Sequence, residues 1–202
     1  MKKLLFLTMV LAGTFAIAQV TFNPGIRAGV NFARFTEGGS NGGWYYNDPY
    51  YNNTNEDADM SAKVDFYVGF QGNIRFAKMY ALQPEINYSR QGTKVTYTNS
   101  TGNRQTDDIT VSYIGFHLVN KFYMDKFNIH IGPTLEFQVE EKNFNSDSEA
   151  DLGALLGVGY DITPNFGVEA RIKKGFVPVA YSNDNHSNVT VQTGIYYTFP
   201  GK

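Results

Sequence analysis

The sequence predicts an all-β protein, an eight-stranded antiparallel up-and-down transmembrane β-barrel. Three observations predict it: apolar and polar residues alternate over long segments, the number of such segments is even, and short turns alternate with long polar connections. Alternation marks a strand with one apolar face. The even count and the turn pattern are those of barrels that cross an outer membrane. Of 202 residues, 20 are glycine, 15% are aromatic and only 18% are charged, against about 25% charged in ordinary soluble domains. A mean hydropathy of −0.32 excludes a helical membrane protein. It does not exclude a barrel, because half of each strand then faces a polar interior. The length suits one domain, and the formal charge of −2 argues against nucleic-acid binding, which relies on a basic surface.

The elements follow in order. Lys2 and Lys3 precede an apolar run from Leu4 that ends in Ala16-Ile17-Ala18, the charged, apolar and small-x-small regions of a cleaved secretory signal peptide. The run falls short of the roughly 20 residues a spanning helix needs. The chain has no cysteine, so a lipoprotein anchor is excluded. The expected division is a signal peptide at 1–18 and a barrel domain at 19–202.

The first strand is read at Gly25–Phe35. Thr36–Ala62 follows as a long loop rich in Asn, Gly, Tyr and acidic residues. In Val64–Phe76 one face carries Val64, Phe66, Val68, Phe70, Ile74 and Phe76, and the other Asp65, Tyr67, Gln71, Asn73 and Arg75. A tight turn at Ala77-Lys78-Met79 leads to Tyr80–Thr98, and the polar segment Asn99–Asp108 leads to Ile109–Tyr123. The turn Met124-Asp125-Lys126 opens Phe127–Val139, where Phe127, Ile129, Ile131, Leu135 and Phe137 alternate with Asn128, His130, Thr134 and Glu136. After Glu140–Ala150 come Leu152–Ile162, the turn Thr163-Pro164-Asn165, Phe166–Val177, the loop Tyr181–Ser187 and the closing strand Asn188–Phe199.

A bilayer tolerates no open sheet edge, so these strands must close into a ring with the apolar face towards lipid. A soluble secreted barrel would bury that face instead. The polar face decides for the membrane, because it carries much Gly and little Lys or Glu, unlike the outside of a soluble domain. Aromatic girdles are expected at Tyr80, Phe122, Phe127, Tyr160, Phe166 and Phe199 near the short turns, and at Phe66, Tyr88, Phe137 and Phe176 near the long loops. Pro84 and Pro133 fall on the lipid-facing register, either as marks of bulges or as tolerated losses of one ladder hydrogen bond.

The run Ala81-Leu82-Gln83-Pro84-Glu85-Ile86-Asn87-Tyr88-Ser89-Arg90-Gln91-Gly92 resembles a strand of the PorT-type outer-membrane β-barrel domains, the small "porin family" barrels of Gram-negative bacteria. Tyr113–Tyr123 is similar to the strand that follows there, although Gly115-Phe116-His117 stands where the family usually has Glu-Ile-Pro. Ile131-Gly132-Pro133, Gly157-Val158-Gly159-Tyr160, Glu169-Ala170-Arg171 and Tyr196-Tyr197-Thr198-Phe199 resemble later strands. The resemblance covers the mature chain. It implies outer-membrane location, with a narrow pore or a component of a secretion or transport apparatus as one functional reading.

Alternation places Arg27, Arg75, Lys121, Arg171 and Lys173 in the lumen with Asp65, Glu85, Glu136 and Glu169. A barrel of eight strands is just wide enough for side chains to fill. The expectation is therefore a polar, ion-paired plug rather than a gated path. Trp44, Tyr45, Tyr46, Tyr50 and Tyr51, interleaved with Asn, Ser and Gly, are the recognition candidates in the first long loop. The acidic loops offer oxygen ligands but lack the twelve-residue calcium-loop pattern, so no metal site and no cofactor are expected.

Catalysis is not expected either. Nucleophilic chemistry needs a Ser or Thr beside an oriented His. Alternation puts Ser112 and His117 on opposite faces, His130 reads as a lumen residue, and His186-Ser187 lies in a polar loop. The expected protein is a structural or surface-interaction barrel. Its partners would be outer-membrane lipid, the barrel-insertion machinery during biogenesis, and an extracellular ligand or a secretion-system protein.

Overall fold

The computed structural model describes residues 20–36, 59–98, 101–143, 148–177, 180–181 and 185–200. Eight strands form a closed antiparallel barrel: β1 (Thr21–Phe35), β2 (Asp59–Ala77), β3 (Tyr80–Thr98), β4 (Arg104–Met124), β5 (Phe127–Lys142), β6 (Ala150–Asp161), β7 (Phe166–Gly175) and β10 (Asn188–Thr198). Each strand pairs with its neighbour in sequence, and β10 closes the ring on β1 from Gly25↔Thr198 to Phe35↔Asn188. Two two-residue strands, β8 (Ala180–Tyr181) and β9 (Asn185–His186), form a separate ribbon before the closing strand.

The alternation sets which face meets lipid. Phe22, Val68, Phe70, Ile86, Phe116, Leu118, Ile131, Leu156 and Ile195 are all exposed outward, and Phe70 is 70% exposed. In water such a surface would be an extreme aggregation liability, whereas in hydrocarbon it is the solvent-matched face. Inward neighbours such as Arg27, Glu85, Gln83 and Lys121 are buried. Polarity is thus inverted relative to a soluble domain. No described helix is long and apolar enough to cross a membrane, and the spanning elements are strands.

The short turns lie at one end. Lys78-Met79 joins β2 to β3, and Asp125-Lys126 joins β4 to β5. Asp125 is left-handed at φ 57°, a conformation that Asp tolerates better than most residues. In the third connection Thr163 Oγ1 accepts from the backbone N–H groups of Asn165 (3.3 Å) and Phe166 (3.0 Å), an ST-type device that fixes the reversal. Aromatic rings gather near these turns: Tyr80 and Phe122 lie 5.5 Å apart and Tyr197 and Phe199 5.4 Å. Towards the opposite end, Phe66 and Tyr88 are 6.1 Å apart.

The strands outrun the sequence boundaries at the loop end. The β3–β4 ladder continues to Thr98↔Arg104, so the Arg104–Asp108 half of the polar segment Asn99–Asp108 is strand rather than loop. Likewise β2 begins at Asp59 and β5 runs to Lys142. The extensions of β4 (Arg104–Asp108) and β5 (Glu140–Lys142) are polar on both faces, so they carry no alternation to read. In the other direction, β7 stops at Gly175, short of Val177.

The prolines are not bulges. Pairing keeps one register on both sides of Pro84 (Gln71↔Glu85, Ile74↔Leu82) and of Pro133 (His117↔Thr134, Asn120↔Ile131). Each costs one ladder bond. The register shifts occur instead between Ala62 and Tyr67, between Arg75 and Ala77, and at Ser112/Tyr113.

Candidate functional site

The lumen is filled by side chains from every strand, and its centre is a ring of four charges. Arg27 projects from β1, Glu85 from β3, and Glu169 and Arg171 from β7. Arg171 grips Glu85 with two parallel bonds, Nη1→Oε2 and Nη2→Oε1, both 2.8 Å, and donates from Nη2 to Glu169 Oε2 at 2.9 Å. Arg27 donates to Glu85 Oε2 at 2.7 Å and, from Nε, to Glu169 Oε1 at 2.9 Å. Its Nη2 also contacts Glu169. Strands β3 and β7 are opposite each other in the ring of eight, so the bidentate pair spans the barrel.

Satisfied neighbours surround this ring. Asn87 Oδ1 accepts from Arg27 (3.0 Å), Gln83 donates to Glu85 (2.7 Å), and the Tyr67 hydroxyl donates to Glu169 (3.3 Å) beneath the Arg27 guanidinium, which lies 4.7 Å above the Tyr67 ring. Tyr67 fits because Gly29 and Gly194 face each other across β1 and β10. A Cβ on Gly194 would stand 2.2 Å from the Tyr67 hydroxyl oxygen, and one on Gly29 2.7 Å from its ring. Inward glycines therefore give large polar groups room to cross the lumen.

Towards the loop end a second tier is centred on Glu136, which Lys173 pairs from two strands away. His117 Nε2 donates to Glu136 Oε1 at 3.3 Å, while its Nδ1 accepts from Asn87 at 3.1 Å. Gln91 donates to Glu136 (3.2 Å) and Ser89 (3.0 Å) and accepts from Asn188 and from Thr190 (2.8 Å). Asn31 and Gln192 join this tier through a 2.8 Å bond. Near the short turns Arg75 stacks 3.8 Å over the Tyr123 ring, and Lys121 sits 4.5 Å over Tyr196, whose hydroxyl donates to Asp161.

Of the charged residues expected in the lumen, Arg27, Glu85, Glu169 and Arg171 meet in one ring, and Glu136 and Lys173 pair above it. Asp65 does not join them. It lies towards the loop end, opposite Asn31 of β1, with Lys63 (3.3 Å) and Arg90 (3.6 Å). Arg75 and Lys121 face inward but make no ion pair among the described residues, and both rest on tyrosine rings. Tyr67, Gln91 and Lys63 belong to the network without being site candidates in the sequence, and His117, weighed there only for catalysis, belongs to it too. Trp44, Tyr45, Tyr46, Tyr50 and Tyr51 lie outside the described residues.

Ser112 is fully buried beside the register shift at Ser112/Tyr113. Its hydroxyl donates to Glu140 at 3.3 Å, and His117 is engaged by Asn87 and Glu136. His130 Nδ1 bonds Asn128 Oδ1 at 3.0 Å. The described residues hold no group of three or more metal-ligating His, Cys, Asp or Glu side chains. An apolar concavity of about 580 Å³, lined by Phe70, Gly72, Pro84, Phe116 and Pro133, opens on the hydrocarbon side of the wall.

Comparison with known proteins agrees with this architecture. A family model described as an outer membrane protein beta-barrel domain matches residues 17–181. Among solved structures, Neisserial surface protein A (NspA) aligns over 87% of this chain and 97% of its own at 16% identity and a TM-score of 0.51. Ail, the attachment invasion locus protein of Yersinia pestis, aligns over 89% and 99% at 14% identity and a TM-score of 0.46. At these identities the likeness is one of fold. No curated protein sequence matches the chain.

Proposed function

The chain belongs to the outer membrane protein beta-barrel domain family and sits in the outer membrane of a Gram-negative bacterium, and on that premise we propose that it is a closed, non-catalytic scaffold that displays its long loops to the cell exterior as a structural or surface-interaction protein. The observation that carries this reading is the cross-lumen ring. The side chains of Arg27, Glu85 and Arg171 are 0% exposed and that of Glu169 is 1%, so the lumen at this level is occupied and its two guanidiniums are paired with its two carboxylates. Opening a path there means parting two guanidiniums from two carboxylates in a low-dielectric interior, where breaking such a pair costs about 3–5 kcal/mol.

A narrow pore, or a part in a secretion or transport apparatus, is the competing reading. The experiment is single-channel recording of the full chain in planar bilayers. Silence at voltages that open control porins supports the scaffold, and defined, ion-selective openings overturn it. An epitope inserted within residues 37–58 gives a second readout. It should be labelled by antibody on intact cells, and labelling only after permeabilisation would reverse the assigned orientation.

A further inference from the structure

We propose that Arg34 and Lys174 form a binding site for the phosphate groups of an outer-leaflet lipid, placed on the outside of the barrel at its loop-side rim. The register brings them together. Arg34 pairs with Val189, and Val189 pairs with Lys174, so the two cations flank one residue of β10. With neighbouring strands about 4.8 Å apart, their Cα atoms are separated by about 10 Å, a span that a phosphorylated headgroup can bridge.

Both residues are exposed and belong to the lipid-facing phase. On β1 that face runs Phe22, Ile26, Val30 and Phe32 before reaching Arg34. On β7 it runs Phe166, Val168 and Ile172 before reaching Lys174. A cation on the lipid face is costly at the bilayer midplane and nearly free at the interface, so these residues mark where hydrocarbon gives way to headgroups. The β1–β10 ladder ends just above them, where Thr36 N donates to Ser187 O at 2.8 Å and Ser187 N donates to Thr36 Oγ1 at 3.0 Å. The loops are on this side, which makes it the outer leaflet.

The charges of Arg34 and Lys174 are also uncompensated. Among the described residues neither makes an ion pair or a side-chain hydrogen bond. Two other outward cations, Arg90 and Lys94, differ. Arg90 has Asp65 at 3.6 Å and Phe66 beneath it, and Lys94 stands opposite Asp108 in the ladder. A planar guanidinium offers a bidentate fork to phosphate and an ammonium adds a point charge. The row beneath, Phe32↔Val191↔Ile172, supplies an apolar surface for acyl chain. This join of apolar wall to paired cations selects an amphiphile over free phosphate.

The test uses the full chain, folded in detergent micelles, with retention of diphosphoryl lipid A measured by native mass spectrometry. The double variant Arg34→Gln/Lys174→Gln should bind about tenfold or more weakly, while Arg90→Gln should bind as the parent does. Equal retention by the double variant overturns the site. So does displacement of the lipid by inorganic phosphate at matched concentration, which would make this a free-phosphate site. Should the double variant fail to fold, the parent chain still decides: fully dephosphorylated lipid A should be retained about tenfold less, and equal retention of both lipids rejects the proposal.

Discussion

Glu85 on β3 and Arg171 on β7 meet through two 2.8 Å bonds across the full width of the barrel, although their strands are never neighbours in the sheet. The pair acts as a strut. Backbone ladders join each strand only to its two neighbours, whereas this contact ties opposite walls together, so its loss should weaken the closed state as a whole.

Glu85→Ala leaves Arg27 and Arg171 buried with one carboxylate between them. The expected cost is about 3–5 kcal/mol, read as a lower temperature for the heat-induced gel shift of the folded barrel. Thermal stability equal to that of the parent would remove the strut argument. A double-mutant cycle with Arg171→Ala should show strong coupling, because the two residues share both bonds.

The two lumen lysines should behave oppositely. Lys173→Met strands Glu136 without its cation and should destabilise by several kcal/mol, about 3–5. Lys121→Met removes a buried ammonium that has a tyrosine ring but no ion pair, so it should be neutral or slightly stabilising. Denaturant midpoints of the two variants in micelles check the contrast, and equal losses would contradict it.

The facing glycines make a steric prediction. Gly194→Val places Cβ against the Tyr67 hydroxyl and against Ala28 O, 2.3 Å away. Overpacking of this kind costs about 1–3 kcal/mol. Adding Tyr67→Phe relieves the first clash but not the backbone one, so recovery of stability should be partial. Complete recovery would mean that the backbone contact relaxes freely.

The lipid-facing wall is tested by charge. Leu118→Arg puts a cation on the outward face between Phe116 and Asn120 and should cost about 2–4 kcal/mol in a bilayer if that position lies near the midplane. Folding into phosphatidylcholine vesicles, followed by urea titration, measures it. A cost near zero would move Leu118 out of the hydrocarbon.

Most of the barrel is legible in the sequence because one physical rule repeats along it. A strand between lipid and lumen must alternate, so Tyr80–Thr98 was bounded to the residue and every spanning strand was found. The rule lapses where both faces meet water. The Arg104–Asp108 end of β4 is polar on both faces and therefore reads as loop. It also lapses at irregularities such as the register shift at Ser112/Tyr113. A single added residue shifts the phase of everything beyond it, and nothing in the composition marks its place.

The sequence by itself determined the ring of eight strands, its inside and outside, and which charges share the interior, because alternation fixes a side chain's face through local geometry alone. Only the tertiary structure decided who meets whom. Closure sets β3 opposite β7 and brings Glu85 to Arg171 while leaving Lys121 to Tyr196. It also places Arg34 and Lys174 on either side of Val189. Those distances depend on the stagger of the closed sheet, a property of all eight ladders together that no single segment carries.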